Sequence, residues 1–361
     1  MHRDSQVPEE RIARARAILH EVDVDALIFF DMKNIRYLTG FTGSDGVLIL
    51  GAKENILVVD GRYTNQARKE VVGARVVECR DKIEGLAALV TEAGFGTVGI
   101  ESQSVTVNLY LALKEKLGGV ALNPVADKLS SIRCIKDEKE IDFIRKAAEI
   151  SNKALAAILD LIKPGTKERD IAVELDYRMR RCGAEEMSFP TIVASGPNAA
   201  QPHAQPGLRA IEDGDLVIID CGAAYSGYHS DETCTFAAGG KSRKQEEVYS
   251  LVKDAHDRAI AAVRAGVPCR DIDRIARECI EDGKLGSYFT HGTGHGVGLD
   301  VHEAPRVAMN SDAVLEAGMV ITIEPGVYIP DLWGIRIEDM ILVKDGGSEV
   351  LTRTPKDFTE L

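Results

Sequence analysis

Residues 214–236 read GDLVIIDCGAAYSGYHSDETCTF, the pattern of two strands joined by a turn. The apolar run LVIID is typical of a buried strand that ends at Asp220, and Asp231 stands where a second strand begins. A hairpin between these strands would place the two aspartates side by side. Adjacent carboxylates repel each other unless a cation lies between them. The segment suggests a metal site, with a pair of turn-capping aspartates as the alternative explanation of this segment alone.

A second segment is rich in histidine and glycine. Residues 290–306 read THGTGHGVGLDVHEAPR and contain His291, His295 and His302, three of the eight histidines of the chain. The interspersed glycines permit close approach of backbone and side chains to a site. Imidazole is a common metal ligand and a common acid or base near neutral pH. We therefore expect this cluster to serve chemistry rather than core packing.

A third segment places two glutamates in apolar surroundings. Residues 318–343 read GMVITIEPGVYIPDLWGIRIEDMILV, which predicts one strand ending at Glu324 and a later continuous strand with Arg336 and Glu338 on the same face. A glutamate in so apolar a run is costly to bury unless it pairs with a charge or a metal. Arg336 by itself could provide that pairing.

Together, the three segments offer four carboxylates and one imidazole at the ends or interiors of apolar strands. Hard oxygen ligands with one imidazole suit Mn²⁺, Co²⁺, Fe²⁺ or Zn²⁺ better than Cu⁺. Five protein ligands exceed what one tetrahedral zinc ion takes. They match two cations roughly 3.5–4 Å apart that share bridging carboxylates.

At these motifs the chain resembles the pita-bread dinuclear metallopeptidases, the family of methionine aminopeptidase, aminopeptidase P and prolidase. The shared signatures are D-x-G with S-D-x-T eleven residues on, H-x-x-x-H-G-x-G, and E-P-G followed by R-x-E. The resemblance covers the whole chain and is with the creatinase, prolidase and aminopeptidase P branch, because methionine aminopeptidases lack the N-terminal domain. It implies a metal cage of Asp220, Asp231, His295, Glu324 and Glu338.

The resemblance also implies a role for each residue. Asp220 corresponds to the bidentate ligand of one cation, His295 and Glu324 to ligands of the other, and Asp231 and Glu338 to the two bridges. The catalytic residues it implies are Glu324, His203, His291, His302 and Arg336. The substrate-binding residues it implies are His203, His302, Arg306 and Tyr328.

Two of these residues have more specific assignments, and one further histidine has no assigned role. Arg306 matches an arginine that in prolidases contacts the terminal carboxylate of the substrate. Arg336 is expected to orient the bridging Glu338. His229, which precedes Ser230, has no role in the family, and a surface or supporting position is the better interpretation.

The order of segments predicts two domains. Residues 1–122 alternate strand-like and helix-like segments, which indicates an α/β domain of the creatinase type. Residues 123–136 are polar and are expected to form a linker. Residues 137–361 are expected to form an α+β pita-bread catalytic domain. Residues 162–172 show weak sequence similarity to residues 263–273, which predicts pseudo-two-fold symmetry within the catalytic domain.

Composition excludes several classes of protein. The net charge is −13, whereas nucleic-acid binding needs a basic surface, so we expect no nucleic-acid partner. The longest apolar runs have the length of strands, so we expect no membrane insertion. The first residues lack the apolar core of a secretory signal, and the seven cysteines form no C-x-x-C pair. We therefore expect a protein of the reducing cytoplasm.

The expected function is metal-dependent hydrolysis of Xaa-Pro peptide bonds, with a prolidase-like dipeptidase favoured. An aminopeptidase P that acts on longer proline-containing oligopeptides is the alternative. A non-catalytic pita-bread binding module or another amidohydrolase fits less well, because the full ligand set is present. The resemblance implies two divalent metal ions, of which Mn²⁺ is favoured over Co²⁺ or Zn²⁺, and a homodimer.

Overall fold

A computed structural model describes residues 9–361, apart from the side chains of Asp127 and Ser130. The chain divides between Arg133 and Cys134 into two units. Within the described range no helix has the length and apolar character needed to cross a membrane. The seven cysteines are free thiols, and five of them are buried.

The first unit is an α/β layer built on one six-stranded sheet. Its helices are α1 Glu9–Glu21, α2 Met32–Thr39, α3 Thr64–Glu70, α4 Lys82–Glu92, α5 Val107–Lys116 and α6 Asp127–Ser130, and its strands are β1 Ala26–Phe29, β2 Val47–Gly51, β3 Asn55–Val59, β4 Arg75–Glu78, β5 Thr97–Glu101 and β6 Ala121–Val125. The strand order is β4-β3-β2-β1-β5-β6. The apolar runs that predicted strands form the centre of this sheet, because β1, β2 and β3 are buried along their whole length.

The segment 123–136, which its polar composition suggested as a linker, carries regular structure. Strand β6 extends to Val125 and pairs in parallel with β5, and α6 and a 3-10 helix follow as far as Arg133. Pro124 is compatible with this strand because β6 lies at the edge of the sheet, where a missing backbone N–H breaks no pairing on the open side.

The second unit contains four long helices and several small sheets. Its helices are α7 Glu138–Ala156, α8 Glu168–Arg181, α9 Arg243–Ala262 and α10 Cys269–Asp282, and its strands are β7 Glu186–Met187, β8 Ile192–Ser195, β9 Asp215–Cys221, β10 Ala223–Tyr225, β11 Tyr228–His229, β12 Glu232–Ala238, β13 Gly294–Gly296, β14 Glu303–Val307, β15 Val320–Ile323, β16 Gly326–Ile329, β17 Trp333–Arg336, β18 Asp339–Lys344 and β19 Gly347–Val350. Helix α7 begins with the reciprocal cap between Asp137 and Glu140 that its sequence indicates.

This unit has the pseudo-two-fold arrangement of a pita-bread domain. Each half has two helices and an antiparallel strand pair, with α7, α8, β9 and β12 in one and α9, α10, β15 and β18 in the other. Each half also has its own apolar core, one around Leu175 and Val217 and the other around Ala276 and Ile321. The fold predicted from the sequence is thereby confirmed.

The strand predicted over residues 333–343 is in fact two strands in different sheets. β17 pairs with β16, whereas β18 pairs with β15 and β19. The break falls at Ile337 and Glu338. The Ile337 N–H donates to the Pro325 carbonyl, and the Glu338 N–H donates to the Thr233 carbonyl in β12, a strand of another sheet.

Candidate metal centre

Strand ends bring the four predicted carboxylates into one region from both halves of the second unit. Asp220 lies near the end of β9, and Asp231 directly precedes β12. Glu324 directly follows β15, and Glu338 directly precedes β18. Each half therefore supplies two carboxylates, as the pseudo-two-fold arrangement requires.

Three of the predicted ligands form the centre of the cluster. Asp231, His295 and Glu338 offer ligand atoms that all lie within 4.8 Å of one another. His295 Nε2 is 3.6 Å from Asp231 Oδ2 and 3.6 Å from Glu324 Oε1. These separations are longer than hydrogen bonds. They suit ligands that each lie about 2 Å from a shared cation.

The position of His295 depends on a close approach of two strands. His295 lies in β13, next to Gly294. A Cβ atom added at Gly294 would lie 1.9 Å from the carbonyl oxygen of Thr322 in β15. Glycine is therefore required there, which explains part of the glycine density of this segment.

Asp220 joins the cluster through Arg336. The Arg336 guanidinium is buried and donates from Nη2 to Asp220 Oδ2 at 2.6 Å. The other carboxylate oxygen of Asp220 is buried and accepts no hydrogen bond from any residue in the described range. A buried carboxylate oxygen without a donor is costly. It is the kind of group that a cation satisfies.

The electrostatics of the cluster also fit a cation. Burial, together with the charges of neighbouring carboxylates, holds the pKa values of Asp231 and Glu338 well above their usual range. Burial raises the pKa of Glu324 to about 8, with the Arg336 charge opposing and the Asp220 charge adding to the effect. Divalent cations would remove the cost of ionising these groups. The residues present therefore fit the two ions that the sequence predicts.

The other predicted active-site residues surround this cluster. His291 Nε2 lies 3.0 Å from the Tyr328 hydroxyl, which accepts a hydrogen bond from Arg336 Nη1 at 2.8 Å. Burial lowers the pKa of His291 to about 4, and the charges of Arg336 and His203 act in the same direction. The His302 ring lies 4.2 Å from the His295 ring, centroid to centroid. His203 and His302 are exposed, which leaves them accessible to a substrate.

Arg306 lies directly across a strand pair from a predicted metal ligand. In the antiparallel pairing of β13 with β14, Arg306 is the register partner of His295. Directly opposite residues project from the same face of a sheet, with Cβ atoms about 5 Å apart. The Arg306 side chain is exposed and forms no hydrogen bond or ion pair with another residue of the described chain. His229, by contrast, is buried in β11 and falls outside this group of ligands.

Thr233 supports the cluster, although its sequence motif did not reveal this role. Its hydroxyl donates to Glu338 Oε2 at 2.7 Å and accepts from Arg336 Nε at 3.1 Å. The S-D-x-T signature contains the signal, since Thr233 is two residues from Asp231 and shares its face of the strand. A threonine at this position orients one predicted ligand and one predicted catalytic residue.

An ion pair on α10, in which Asp273 is buried and Arg277 is partly exposed, supports the histidine segment and could not be found from its sequence. Asp273 accepts from the backbone and hydroxyl of Thr293 at 3.0 and 2.9 Å. Arg277 pairs with Asp273 and donates to the His291 carbonyl at 2.8 Å. Because the Thr293 carbonyl accepts from the Glu324 backbone N–H, this pair orients the backbone on both sides of the site.

Comparisons with known proteins agree with this geometry. The chain is 38% identical over 354 residues to a Xaa-Pro dipeptidase of Pyrococcus horikoshii, covering 98% of this chain and 99% of that one. The solved structure of a Xaa-Pro dipeptidase from Bacillus anthracis is similar, with a TM-score of 0.96, 40% identity and coverage of 98% and 99%. The solved structure of an X-Pro aminopeptidase from Thermotoga maritima is also similar, with a TM-score of 0.89 and 34% identity. The match covers 97% of this chain and 100% of that one.

Family models match both units. Residues 11–135 match the creatinase/prolidase N-terminal domain. Residues 142–345, which contain the whole cluster of carboxylates and histidines, match metallopeptidase family M24. With this match and the full-length similarity to the Pyrococcus dipeptidase, the chain belongs to metallopeptidase family M24.

Proposed function

We propose that this chain hydrolyses the peptide bond before proline in Xaa-Pro dipeptides, using two divalent cations. The observation that carries the proposal is the convergence of Asp231, Glu324 and Glu338 on His295, with Asp220 joined to the cluster through Arg336. Asp220 would hold one cation and His295 with Glu324 the other. Asp231 and Glu338, one from each half, would bridge them. Bound cations lower the pKa of water towards about 7 and polarise a carbonyl oxygen.

Glu324 is the residue proposed to move the proton. Its carboxylate accepts the proton of the attacking water and gives it to the proline nitrogen as the bond breaks. Its Oε1 atom lies 3.6 Å from His295 Nε2, which places this proton carrier within the proposed metal centre. Proline has no N–H in the peptide, so the leaving nitrogen depends on such a proton donor.

The exposed histidines are proposed to bind the substrate around the reacting bond. His203 and His302 donate hydrogen bonds to the oxygen that becomes negative during attack and hold the proline side of the substrate. His291 stays neutral at pH 7 because its pKa is about 4, and its contact with Tyr328 orients the Tyr328 hydroxyl towards the site. Arg336 keeps Asp220 and Glu338 in place through its bonds to Asp220 and Thr233.

Arg306 supports a preference for dipeptides. A guanidinium on the same face as His295, with no partner in the described chain, is available for the carboxylate of a short substrate. In a dipeptide this carboxylate belongs to the proline itself and lies close to the scissile bond. In a longer peptide it lies at least one residue further away.

Parallel assays of Ala-Pro and Ala-Pro-Ala with Mn²⁺ test the proposal. We expect the higher kcat/KM with Ala-Pro. A higher value with Ala-Pro-Ala would assign the chain to the second candidate, an aminopeptidase P, which the similarity to the Thermotoga enzyme supports. Turnover of neither substrate by metal-loaded protein would contradict both and favour a binding module.

The remaining features of the proposal are supported by family resemblance and composition. We propose Mn²⁺ as the resident ion, with Co²⁺ and Zn²⁺ as alternatives, and a homodimer in the cytoplasm. The net charge of −13 supports the absence of a nucleic-acid partner. Metal content after purification without added ions and light scattering of the purified protein test the metal and the dimer.

A further inference from the structure

A second buried charge cluster lies behind the strands that carry the predicted bridging ligands. We call it the rear cluster, and its members are Glu232, Cys234, His256, Asp339 and Lys356. Glu232 directly follows Asp231, and Asp339 directly follows Glu338. Successive side chains of an extended chain point in opposite directions. Each predicted bridging ligand is thus followed by a buried acid that faces away from the metal centre.

Lys356 joins these two acids. Its Nζ atom lies 2.6 Å from Glu232 Oε1 and 3.3 Å from Asp339 Oδ1. The side chains of Glu232, Asp339 and Lys356 are only 0%, 8% and 6% exposed. Removing one member of such a group leaves uncompensated buried charge. Glu232 also accepts hydrogen bonds from Asn152 and the Thr354 N–H, and Asp339 accepts one from Thr352, but among the described residues Lys356 is the cation that both acids share.

The two acids belong to strands in different sheets. β12 is the edge of the sheet β12-β9-β8, whereas β18 lies inside the sheet β14-β13-β15-β18-β19. No strand pairing joins β12 to β18 in residues 9–361, although the Glu338 N–H donates to the Thr233 carbonyl. Lys356 is therefore a side-chain bridge between the strand that follows Asp231 and the strand that follows Glu338.

The segment that carries Lys356 is attached to both strands. The Leu351 N–H donates to the Met340 carbonyl in β18, and the Ala237 N–H in β12 donates to the Thr359 carbonyl. Between these attachments, the Lys356 carbonyl accepts a hydrogen bond from Tyr249. The backbone thus crosses from one strand to the other, with Lys356 directed between them.

We propose that Lys356 is a positioning residue for the metal centre. By joining Glu232 to Asp339 it acts together with the direct hydrogen bonds between Thr233 and Glu338 to set the distance between Asp231 and Glu338, and so the affinity for the pair of cations. This inference depends on the proposed function, because Asp231 and Glu338 must be the bridging ligands. Lys356 itself touches neither substrate nor cation.

Metal titration of the Lys356→Met variant tests the inference. We expect the affinity for at least one Mn²⁺ to fall roughly 10- to 100-fold in calorimetry, the usual effect of losing a residue that supports metal ligands. We also expect loss of the electron paramagnetic resonance signal of a coupled manganese pair, with an unchanged near-UV circular dichroism spectrum. Lys356→Arg keeps the charge and should recover part of the lost affinity.

Lys136→Met is the matched control. Lys136 forms a comparably buried ion pair with Glu303 in the same unit, at 2.6 Å with side chains 1% and 4% exposed. We expect a similar loss of thermal stability in this variant but a wild-type manganese titration. An equal loss of manganese affinity in Lys136→Met would overturn the inference, since the effect would then follow from destabilisation alone.

Three further results separate the remaining outcomes. If Lys356→Met does not fold, the double variant Glu232→Gln/Lys356→Met removes one buried acid together with the ammonium group and leaves Asp339 beside His256 at 3.3 Å, and we expect the same loss of affinity from it. Wild-type binding of two Mn²⁺ by either folded variant would overturn the role of Lys356 and leave the proposed function intact. Failure of the wild-type protein to bind Mn²⁺ would instead contradict the proposed function.

Discussion

Replacement of Arg306 by glutamine tests how the chain selects short substrates. Arg306 is exposed, lies opposite His295 in the β13/β14 pair and has no partner in the described chain. The substitution should therefore change folding stability little, by less than about 0.5 kcal/mol. Its effect should appear in catalysis, because the proposed partner of Arg306 is the substrate carboxylate.

The magnitude follows from the type of bond. A hydrogen bond to a charged group contributes about 1.5–3 kcal/mol. Each 1.36 kcal/mol changes a rate about tenfold. We therefore expect kcat/KM for Ala-Pro to fall about 10- to 150-fold, mainly through KM, because the carboxylate is bound equally in ground and transition states. Arg306→Lys keeps the charge but loses the two-pronged geometry, and an intermediate loss is expected.

The assay compares Ala-Pro with Ala-Pro-Ala for wild type, Arg306→Gln and a control, Arg264→Gln. Arg264 is likewise exposed and lies outside the site. For Ala-Pro-Ala we expect a change of less than about threefold, because its carboxylate lies further from the scissile bond. Equal losses with both substrates, or no loss with either, would refute the assignment of Arg306 to the carboxylate of a dipeptide.

Three further predictions concern the metal centre. Glu324→Gln should lower kcat for Ala-Pro by about 10²- to 10⁴-fold while the circular dichroism spectrum stays unchanged. Wild-type turnover by this variant would contradict the role of Glu324 as proton carrier. Without metal, burial raises the pKa of Glu324 to about 8, so the folded protein favours its neutral form. The free energy of unfolding from urea denaturation should therefore fall as the pH rises from about 4.5 to about 8. A rise over that range would contradict this prediction. At 100 times the dissociation constant, Mn²⁺ should add about 2.7 kcal/mol of stability per site in the same denaturation experiment at pH 7.5, and EDTA should abolish that gain.

The parts of the fold that follow local patterns were predictable from the sequence. Apolar runs that stop at Asp220 and Glu324 indicated strands with ligands at their ends, and the structure has both strands. The pair Asp137 and Glu140 indicated the start of α7, which the reciprocal cap confirms. These features depend on neighbouring residues and on strand or helix periodicity, so a single sequence contains them.

Features that depend on distant partners were not predictable in this way. The strand predicted over residues 333–343 breaks because Ile337 and Glu338 donate to carbonyls of other segments. Strand β6 includes Pro124, and only its edge position in the sheet makes that residue acceptable. Lys356 contacts Glu232, which lies more than one hundred positions earlier in the chain, and no local motif predicts such a contact.

The candidate site also has features that the sequence predicted and features that it did not. The spacing of the motifs predicted these residues, and the structure brings Asp231, His295 and Glu338 together. Glu324 Oε1 lies 3.6 Å from His295 Nε2. Their roles as ligands stay predictions. Thr233 belongs to the S-D-x-T motif, whereas the supporting contact of Arg277 emerges only from the three-dimensional arrangement.

The most direct test of the central claim is an anomalous diffraction measurement on crystals soaked in Mn²⁺. We expect two manganese peaks about 3.5–4 Å apart among Asp220, Asp231, His295, Glu324 and Glu338, with Asp231 and Glu338 bound to both. A single peak, or manganese bound by other side chains while this cluster holds none, would contradict the claim that these five residues form a dinuclear metal centre.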